Sequence, residues 1–593
     1  MLFFFILAGM AKKNKRNYIP QQPVKDVKKQ VVREAAIARP ASKWPPMQVW
    51  VILAITFIVF MPLSEHYVTW DDPEFVYRNP NVVNFTFSNF FESIKNIFST
   101  TTLGGYTPMV IFSFCIEKII FGIEHPVYIH FDNLLLHLLC TYLVFCLCKR
   151  LKFSDLVCFI VALLFGMHPM RVESVAWITE RKDVLYGAFY LSGLLMYIKY
   201  RENGEQKKQL YLPYLFFILA LFSKIQSVTF PISLLLIEYY RNGKVDKKSA
   251  LKIVPFFVLA LLSGMLGIFL LKQNAVLAAN SLLSIPGKFF LANYTVVVYL
   301  IKSVVPYPML TLYPYPTILD IGMYASVLII PALLFVLYMA WKRKNKMVIF
   351  GLLFFLVNIA FTLQVLVAGQ GFMADRYTYI AYLGLFIIFA SLFEKLEKAF
   401  PGKEYNIRIG GVVYLFALSV MCYLQNKIWE NSETLWTHVI SYYGNQGTPY
   451  VNRAVYYYES GNYNKAVSDY TSAISIEPKN ADLYIKRGSI FFEVAHDNKN
   501  LLLKSLKDCD TAIALRNNDA SSYNYRANVY GNLDMLDSAM ADANKSIALD
   551  STFAPAYNTR SMIYGAENKT AEANRDKAKY LSLTPDADKA KIQ

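Results

Sequence analysis

Charged side chains are scarce in this chain. Asp, Glu, Lys and Arg make up 17% of its 593 residues, whereas 55% are hydrophobic and 16% are aromatic. A typical soluble domain carries about 25% charged residues. Long apolar runs come first, and the composition turns polar after residue 445. The sequence therefore predicts an all-α protein in which a polytopic membrane domain precedes a soluble domain.

Disulfide and metal motifs are also lacking. Six of the seven cysteines lie in apolar stretches, and Cys509 stands alone in the polar tail. Cys146 and Cys148 lie two residues apart in an apolar run, which is a weak basis for a metal site. His168 has no neighbours at ligand spacing either. The sequence thus predicts no disulfide framework and no metal site, and it does not favour a divalent cation.

Acidic residues are outnumbered by basic ones, and the net charge is +17. Residues 1–10 are apolar and precede a basic run, which reverses the order found in a signal peptide. Lys and Arg concentrated beside the first long apolar run form the positive-inside pattern, so we expect a cytoplasmic N-terminus and no nucleic-acid partner. These basic residues are Lys12, Lys13, Lys15, Arg16, Lys25, Lys28, Lys29, Arg33, Arg39 and Lys43.

Apolar length and loop charge together predict eleven membrane spans, since a helix needs about 20 apolar residues to cross a bilayer. The segment 289–305 has both flanks outside, so we expect an interfacial or re-entrant helix there. The predicted domains are a cytoplasmic tail (1–47), a membrane domain (48–430) and an extracytoplasmic domain (431–593). The predicted spans are 48–66, 126–148, 155–167, 183–200, 210–223, 226–240, 253–271, 322–340, 347–366, 378–394 and 408–424.

Three polar clusters fall on the outer side of this topology, where ionisable groups at membrane depth indicate chemistry or transport. The first is Trp70-Asp71-Asp72-Pro73, directly after the first span. When two carboxylates are adjacent, the charge of one raises the pKa of the other. The carboxylate with the raised pKa is a better base for taking a proton from a hydroxyl nucleophile. Either Asp71 or Asp72 is then the base, or one orients the acceptor while the other takes the proton. A solvated turn with a helix cap is the alternative.

The second cluster lies in the loop between two predicted spans. Three cations and three carboxylates occupy the sixteen residues from His168 to Asp183. Cations in this position suit an anionic phosphate, and ordinary interfacial salt bridges are the alternative. The candidate residues of this cluster are His168, Arg171, Glu173, Glu180, Arg181 and Lys182.

The third cluster is Asp375-Arg376-Tyr377, on an outer loop with little other charge. Arg376 is the only cation between Lys346 and Lys395. A lone guanidinium at the membrane surface fits a bidentate phosphate contact. A simple ion pair with Asp375 is the alternative, and the sequence leaves both roles open.

A repeat follows residue 445. Tyr450, Tyr484, Tyr523 and Tyr557 recur at spacings of 34, 39 and 34 residues, and an Arg lies three residues after each of them. The pattern resembles the tetratricopeptide repeat, a pair of antiparallel helices, over about 446–587. Such arrays form concave surfaces that bind extended peptides. In the alternative interpretation the repeated Tyr and Arg are packing residues.

Three segments jointly resemble the transmembrane-and-tetratricopeptide-repeat proteins of the C-type glycosyltransferase superfamily, which includes the protein O-mannosyltransferases. They are WDDP followed by YRNP, the loop HP followed by ESVAWITERKDVL, and ADRYTYI. The resemblance covers about 48–587 in matching order. It implies a C-type glycosyltransferase membrane domain of about eleven spans, followed by a tetratricopeptide-repeat α-solenoid.

The resemblance implies a polyprenyl-phosphate sugar as donor substrate and a Ser or Thr hydroxyl as acceptor. No cofactor is assigned from the sequence, and a divalent metal is the less favoured possibility. The catalytic carboxylate falls on Asp71 or Asp72; protein O-mannosyltransferases have an Asp-Glu pair there, so the choice stays open. We expect an inverting displacement in which cations neutralise the departing phosphate. The candidate phosphate ligands are Arg171, Arg181, Lys182 and Arg376, and the supporting residues are His168, Glu173, Glu180 and Asp375.

The predicted partners are the lipid-linked sugar, membrane lipid and an acceptor polypeptide held in the repeat groove. We expect a bacterial inner membrane with periplasmic repeats, and the endoplasmic reticulum with luminal repeats has the equivalent topology. Two other functions stay open. One is a transferase of the same fold that modifies a lipid or cell-wall glycan, and the other is a membrane scaffold without catalysis.

Overall fold

The computed structural model is largely helical, which confirms the all-α class. Within the described ranges the only strands are Tyr313–Pro314 and Gly371–Met373, which pair antiparallel. The chain divides into two compact units, and everything from Val51 on belongs to the second. Most of the predicted cytoplasmic tail lies outside the described residues. The described residues are 46–65, 69–123, 125–273, 283–363, 371–496 and 498–584.

Helices of very different length make up the part of the chain before the repeats. Ser154 illustrates a start signal, because its side chain accepts a hydrogen bond from the Val157 amide at the first turn. The α-helices are Met47–Val59, Pro80–Val83, Phe90–Ser99, Pro108–Phe121, Pro126–Arg150, Asp155–Met167, Val172–Ala176, Arg181–Glu202, Tyr211–Ser223, Phe230–Asn242, Lys247–Gln273, Ile285–Lys302, Ile321–Ala325, Ile329–Lys342, Lys346–Ala360, Tyr382–Ala399 and Glu404–Ile428.

The prediction of eleven membrane spans is not confirmed. Among the described residues, four helices are long and apolar enough to cross a membrane, or five if the bent pair Asp155–Met167 and Pro169–Ala176 counts as one span. Several predicted spans form shorter helices, and Arg181–Glu202 carries charged residues at both ends. The segment expected not to cross forms the helix Ile285–Lys302 and is not one of the four. These four are Pro126–Arg150, Lys247–Leu270, Ile321–Lys342 and Glu404–Ile428.

Four helix pairs follow the last of these helices, after a single helix Ser432–Tyr442 that we call the linker helix. Small residues at the contacts let the two helices of a pair approach closely; Ala454, Ala466 and Ala473 are fully buried beside Tyr470. The pairs are Gly447–Glu459 with Tyr463–Ile476, Ala481–Glu493 with Lys499–Leu515, Ala520–Asn532 with Leu536–Leu549, and Ala554–Ala566 with Thr570–Leu583.

The repeated arginines form a ladder along the array. In the third pair, Nε and Nη2 of Arg526 donate to the two carboxylate oxygens of Asp542 at 2.6 and 2.9 Å, and Nη1 donates to Asp510 of the preceding pair at 2.8 Å. The guanidinium also lies 5.7 Å from the Tyr523 ring. The repeated Tyr and Arg are therefore packing residues. The equivalent ion pairs are Arg453–Asp469, Arg487–Asp508 and Arg560–Asp576.

Replacing Arg526 by Ala is expected to destabilise the array by about 1–3 kcal/mol, because the poorly solvated Asp542 carboxylate loses its charged donors. The measurement is thermal unfolding of the full-length chain. Arg516→Ala is the matched control: its partners Asp482 and Asp519 are 58% and 23% exposed, against 9% for Asp542, and exposed pairs contribute less than about 1 kcal/mol. Equal melting of the two variants would contradict the ladder's role.

Candidate active site

Asp72 is fully buried and joins the first two polar clusters. Its Oδ1 accepts hydrogen bonds from the Thr179 amide at 2.8 Å and hydroxyl at 2.7 Å, and its Oδ2 accepts from the Thr69 amide at 2.9 Å and hydroxyl at 3.3 Å. Burial raises the pKa of Asp72 to about 7 although these bonds act to lower it. With both oxygens occupied by protein donors, Asp72 ties one loop to the other.

Asp71 has a different environment. It is only partly buried, and within the described ranges its carboxylate accepts no hydrogen bond. Burial raises the pKa of Asp71 above its ordinary value of 3.8, while the nearby charges of Lys182 and Arg376 lower it. The Asp71 carboxylate is therefore free to accept a proton, and two cations act on it.

Arg376 joins the third cluster to the second. Its backbone amide donates to Oε2 of Glu173 at 2.9 Å, and its Nη1 donates to Oε1 of the same carboxylate. Its Nε lies 3.4 Å from Oε1 of Glu180, and its guanidinium carbon lies 5.3 Å from the Trp177 ring. Its Nη2 makes no hydrogen bond with any residue that the structure describes, so the N–H groups of this nitrogen remain as donors for a ligand.

Glu180 lies between two lysines. Its Oε1 is 3.1 Å from Lys182 Nζ, and its Oε2 accepts from Lys224 Nζ at 2.9 Å. Lys224 also donates to Asp183 at 2.7 Å. Lys182 Nζ lies 4.7 Å from the centroid of the Phe75 ring, and the side chain is 17% exposed. An ammonium group has three N–H donors, so Lys182 can bind a ligand in addition to Glu180. No sequence motif marks Lys224, which stands in a short turn between two helices.

Asp375 is occupied by the protein. Its Oδ1 accepts from Lys302 Nζ at 2.9 Å, and both of its oxygens lie 2.9 Å from the Tyr313 hydroxyl. Asp375 thus anchors the loop that carries Arg376 instead of pairing with the Arg376 guanidinium. Lys302 and Tyr313 lie more than 60 residues before Asp375 along the chain, so no local sequence pattern reveals these contacts.

Arg171 faces the protein interior. Its Nη1 donates to the Thr378 and Tyr379 carbonyls at 3.1 and 2.6 Å, and its Nη2 donates to the Thr378 hydroxyl at 3.1 Å. The side chain is fully buried among aromatic rings, so a phosphate does not reach it. These rings belong to Phe165, Tyr379, Tyr382 and Phe386.

Arg181 is likewise fully buried. It forms a bidentate pair with Glu117, lies 3.4 Å from Asp132, and donates through Nε to Asn133 at 2.8 Å. Its guanidinium also stacks on Phe114 at 4.4 Å. Arg181 therefore holds helix Pro108–Phe121 against the second cluster, and it has no side open to a phosphate.

His168 acts as a helix cap. Its Nδ1 accepts a hydrogen bond from the Met170 amide at 3.3 Å, and its ring packs against Tyr382 and Phe386. Within the described ranges, no three His, Cys, Asp or Glu side chains lie close enough together to hold a metal ion. The polar loops thus bring together a free carboxylate and two partly exposed cations, an arrangement suited to proton abstraction beside an anion.

Known proteins provide an independent comparison. The family described as TPR repeat matches residues 456–494. Protein O-mannosyl-transferase TMTC1 of Mus musculus is 32% identical over 141 residues, which are 23% of this chain and 15% of that protein. Protein O-mannosyl-transferase F38B6.6 of Caenorhabditis elegans is 24% identical over 459 residues, 72% of this chain and 62% of that protein.

The solved structures add little beyond the repeats. The crystal structure of MamA has 22% identity and covers 26% of this chain and 88% of its own, with a TM-score of 0.23. The sequence matches span less than two thirds of the length of the relatives. The resemblance drawn from the motifs is nevertheless confirmed: this chain is similar to the TMTC protein O-mannosyl-transferases and contains a tetratricopeptide repeat.

Proposed function

We propose that this chain is a membrane glycosyltransferase that moves a sugar, mannose by analogy with the names of its relatives, from a polyprenyl phosphate to Ser or Thr hydroxyls of proteins. The observation that carries the proposal is the free carboxylate of Asp71 beside the partly exposed cations Lys182 and Arg376. A scaffold does not require a partly buried carboxylate without a hydrogen-bond donor beside two cations, because removing such a group from water is costly.

The proposed reaction is an inverting single displacement. The acceptor oxygen attacks the anomeric carbon, the bond from that carbon to the phosphate oxygen breaks, and the polyprenyl phosphate leaves with the electron pair. Lys182 and Arg376 neutralise the charge that develops on the phosphate. Asp71 takes the hydroxyl proton as the new bond forms, since a free hydroxyl is too weakly acidic to lose it beforehand.

The other residues of the three clusters act on these groups. Glu173 and Glu180 orient the Arg376 guanidinium, and Asp375 anchors its loop. Asp72 fixes the turn that presents Asp71. Arg171, Arg181 and His168 shape the protein beneath the site and do not touch the substrate in this proposal.

We further propose that the repeat groove binds the acceptor polypeptide. The repeats then lie on the same side of the membrane as Asp71. The relatives reported above come from animals, which favours the endoplasmic reticulum membrane with luminal repeats over the bacterial inner membrane.

The direct test uses the full-length chain in lipid nanodiscs with a polyprenyl phosphate mannose and a Ser- and Thr-rich polypeptide. We expect a hexose on the polypeptide by mass spectrometry, and none with the Asp71→Asn variant. If sugar is transferred to a lipid or glycan but not to the polypeptide, the protein acceptor is wrong and the chain is a lipid or glycan transferase. Absence of transfer to every acceptor class, together with unchanged glycans in a deletion strain, would refute it.

The transfer rate is expected to fall as the pH falls, because protonated Asp71 cannot act as a base. Burial raises the pKa of Asp71, so the midpoint of this acid limb should lie above 3.8. Single-turnover rates at saturating donor measure it. Lys182→Met removes a cation that lowers this pKa, so its acid limb should move to higher pH. If the acid limb of the Lys182→Met variant has the same midpoint as that of the wild type, the Lys182 charge does not act on the catalytic base.

Lys182→Met is also expected to raise the KM for the donor about tenfold, because a charged hydrogen bond to the phosphate contributes at least about 1.5 kcal/mol. Steady-state transfer at varied donor concentration measures the change. Lys95→Met, which replaces an exposed lysine of helix Phe90–Ser99, is the matched control and should leave this KM unchanged. An unaltered KM in both variants would remove Lys182 from the phosphate site.

A further inference from the structure

Four of the seven tryptophans form one contact group beside Asp71, which we call the tryptophan cluster: Trp70, Trp177, Trp429 and Trp436. Trp70 stacks on Trp177 with ring centroids 4.8 Å apart, and it forms a T-shaped contact with Trp436 at a centroid distance of 5.0 Å. Trp177 also contacts Trp429 at 5.7 Å. The cluster therefore joins both loops that hold Asp72 to the segment that leads into the repeats.

The backbone of Trp70 lies in the left-handed region, with φ of 48°. A bulky residue in this region costs roughly 1–2 kcal/mol, and such a conformation persists only where its surroundings impose it. Trp70 immediately precedes Asp71, so its conformation decides the direction in which the Asp71 side chain leaves the turn. The stacked Trp177 and the T-shaped contact with Trp436 hold the Trp70 ring.

Trp436 belongs to the linker helix, which occupies the place of a preceding repeat in the array. The Thr437 hydroxyl accepts a hydrogen bond from Arg453 Nη1 at 2.8 Å. Asp510 accepts the equivalent hydrogen bond from Arg526 in the third pair. Glu433 of the same helix accepts from the Tyr457 hydroxyl at 2.8 Å. The linker helix is thus stacked on the repeats, and its movement is tied to theirs.

Three further contacts connect this part of the array to the loops before it. His438 Nε2 lies 3.1 Å from the Met309 carbonyl, and the Tyr307 and Tyr442 hydroxyls are 2.6 Å apart. Glu459 of the first repeat accepts from Arg78 at 2.7 Å. The contact of His438 is partly buried, whereas the other two lie at the surface, where the ion pair of Arg78 with Glu459 contributes less than about 1 kcal/mol. Around the buried Trp436 they restrict the rotation of the linker helix relative to the Asp71 turn.

We propose that Trp436 is a positioning residue for the transfer reaction: the repeat array holds Asp71 in line with Lys182 and Arg376 by clamping Trp70. The repeat domain then forms part of the active site in addition to binding an acceptor. This inference rests on the proposed function, but the geometry of the clamp can be measured without it.

The experiment compares full-length Trp436→Ala with Trp341→Ala, which replaces a tryptophan that is 67% exposed on helix Ile329–Lys342. Hydrogen exchange is followed at the amides of Thr69 and Thr179, the donors to Asp72. We expect faster exchange at both amides in Trp436→Ala only. Turnover at saturating donor and acceptor should fall by about 10²-fold, since a displacement of about 1 Å has that effect, with the donor KM unchanged. Trp436→Phe should restore part of both.

Several results would overturn the inference. Exchange and turnover at the wild-type level in Trp436→Ala would show that the clamp does not position Asp71, while Asp71→Asn tests the proposed reaction separately. A change confined to the acceptor KM would make the repeats an acceptor-binding module only. If Trp436→Ala does not fold, Trp436→Leu takes its place, and wild-type exchange and turnover in that variant would equally refute the clamp. If the wild-type chain transfers no sugar, the exchange comparison still decides whether the array holds the turn.

Discussion

Replacing Asp71 by Asn is expected to lower the rate of sugar transfer by a factor of about 10²–10⁴, the usual contribution of a general base. Asn has nearly the shape of Asp but cannot take the acceptor proton. Because no described residue donates a hydrogen bond to the Asp71 side chain, the substitution should leave folding intact. Initial rates with a polyprenyl phosphate mannose, together with thermal unfolding of the same preparations, provide the measurement.

Asp72→Asn is the matched control for this prediction. Its amide nitrogen would face either the two donors from Thr69 or the two from Thr179, so buried donors lose their acceptor. We expect a loss of stability of about 1–3 kcal/mol per unsatisfied donor, visible as lower melting or lower yield. If Asp72→Asn is stable but transfers no sugar while Asp71→Asn stays active, Asp72 is the base and Asp71 has the structural role.

Replacing Arg181 by Met is expected to destabilise the protein by about 3–5 kcal/mol, because Glu117 is left as a buried charge without its partner. Melting of the solubilised chain and the amount of folded protein recovered from membranes measure this effect. The prediction follows from the bidentate ion pair and from the full burial of both side chains. It gives Arg181 a structural role in place of the phosphate contact that the sequence suggested.

The double variant Glu117→Met with Arg181→Met separates the two roles. When both members of a buried ion pair are replaced by apolar groups, most of the stability is recovered. The double variant should therefore be more stable than Arg181→Met alone, with a donor KM close to that of the wild type. If the double variant folds but binds the donor poorly, Arg181 contacts the donor phosphate as the sequence predicted.

Local patterns were sufficient for several features of this protein. The 34-residue period of the Tyr and Arg residues predicted the repeat array, because each repeat uses the same contacts to stack on its neighbour. The joint motifs predicted the relationship to the protein O-mannosyl-transferases. Counting spans from apolar runs was less successful, since the eleven crossings are not confirmed. A run of apolar residues does not reveal whether lipid or protein will cover it.

Which polar residue does what was decided by tertiary contacts. Asp71 and Asp72 are chemically identical neighbours; the donors from Thr69 and Thr179 and full burial set Asp72 apart. Arg181 and Lys182 are adjacent cations, yet Arg181 is fully buried against Glu117, whereas the Lys182 side chain stays partly exposed. Hydrogen-bond partners from distant parts of the chain make these differences, so no local pattern carries them.

The amino-acid sequence thus specified the class of protein, the period of the repeats and the loops in which chemistry was to be sought, because composition and periodicity act through neighbouring residues. The tertiary structure leaves the Asp71 carboxylate without a donor and buries Arg171 and Arg181 where a phosphate cannot contact them. It also places Lys224, Lys302 and Trp436 around the site. Burial and hydrogen bonding are properties of the assembled chain, and they assign a role to each ionisable group only after distant segments have met.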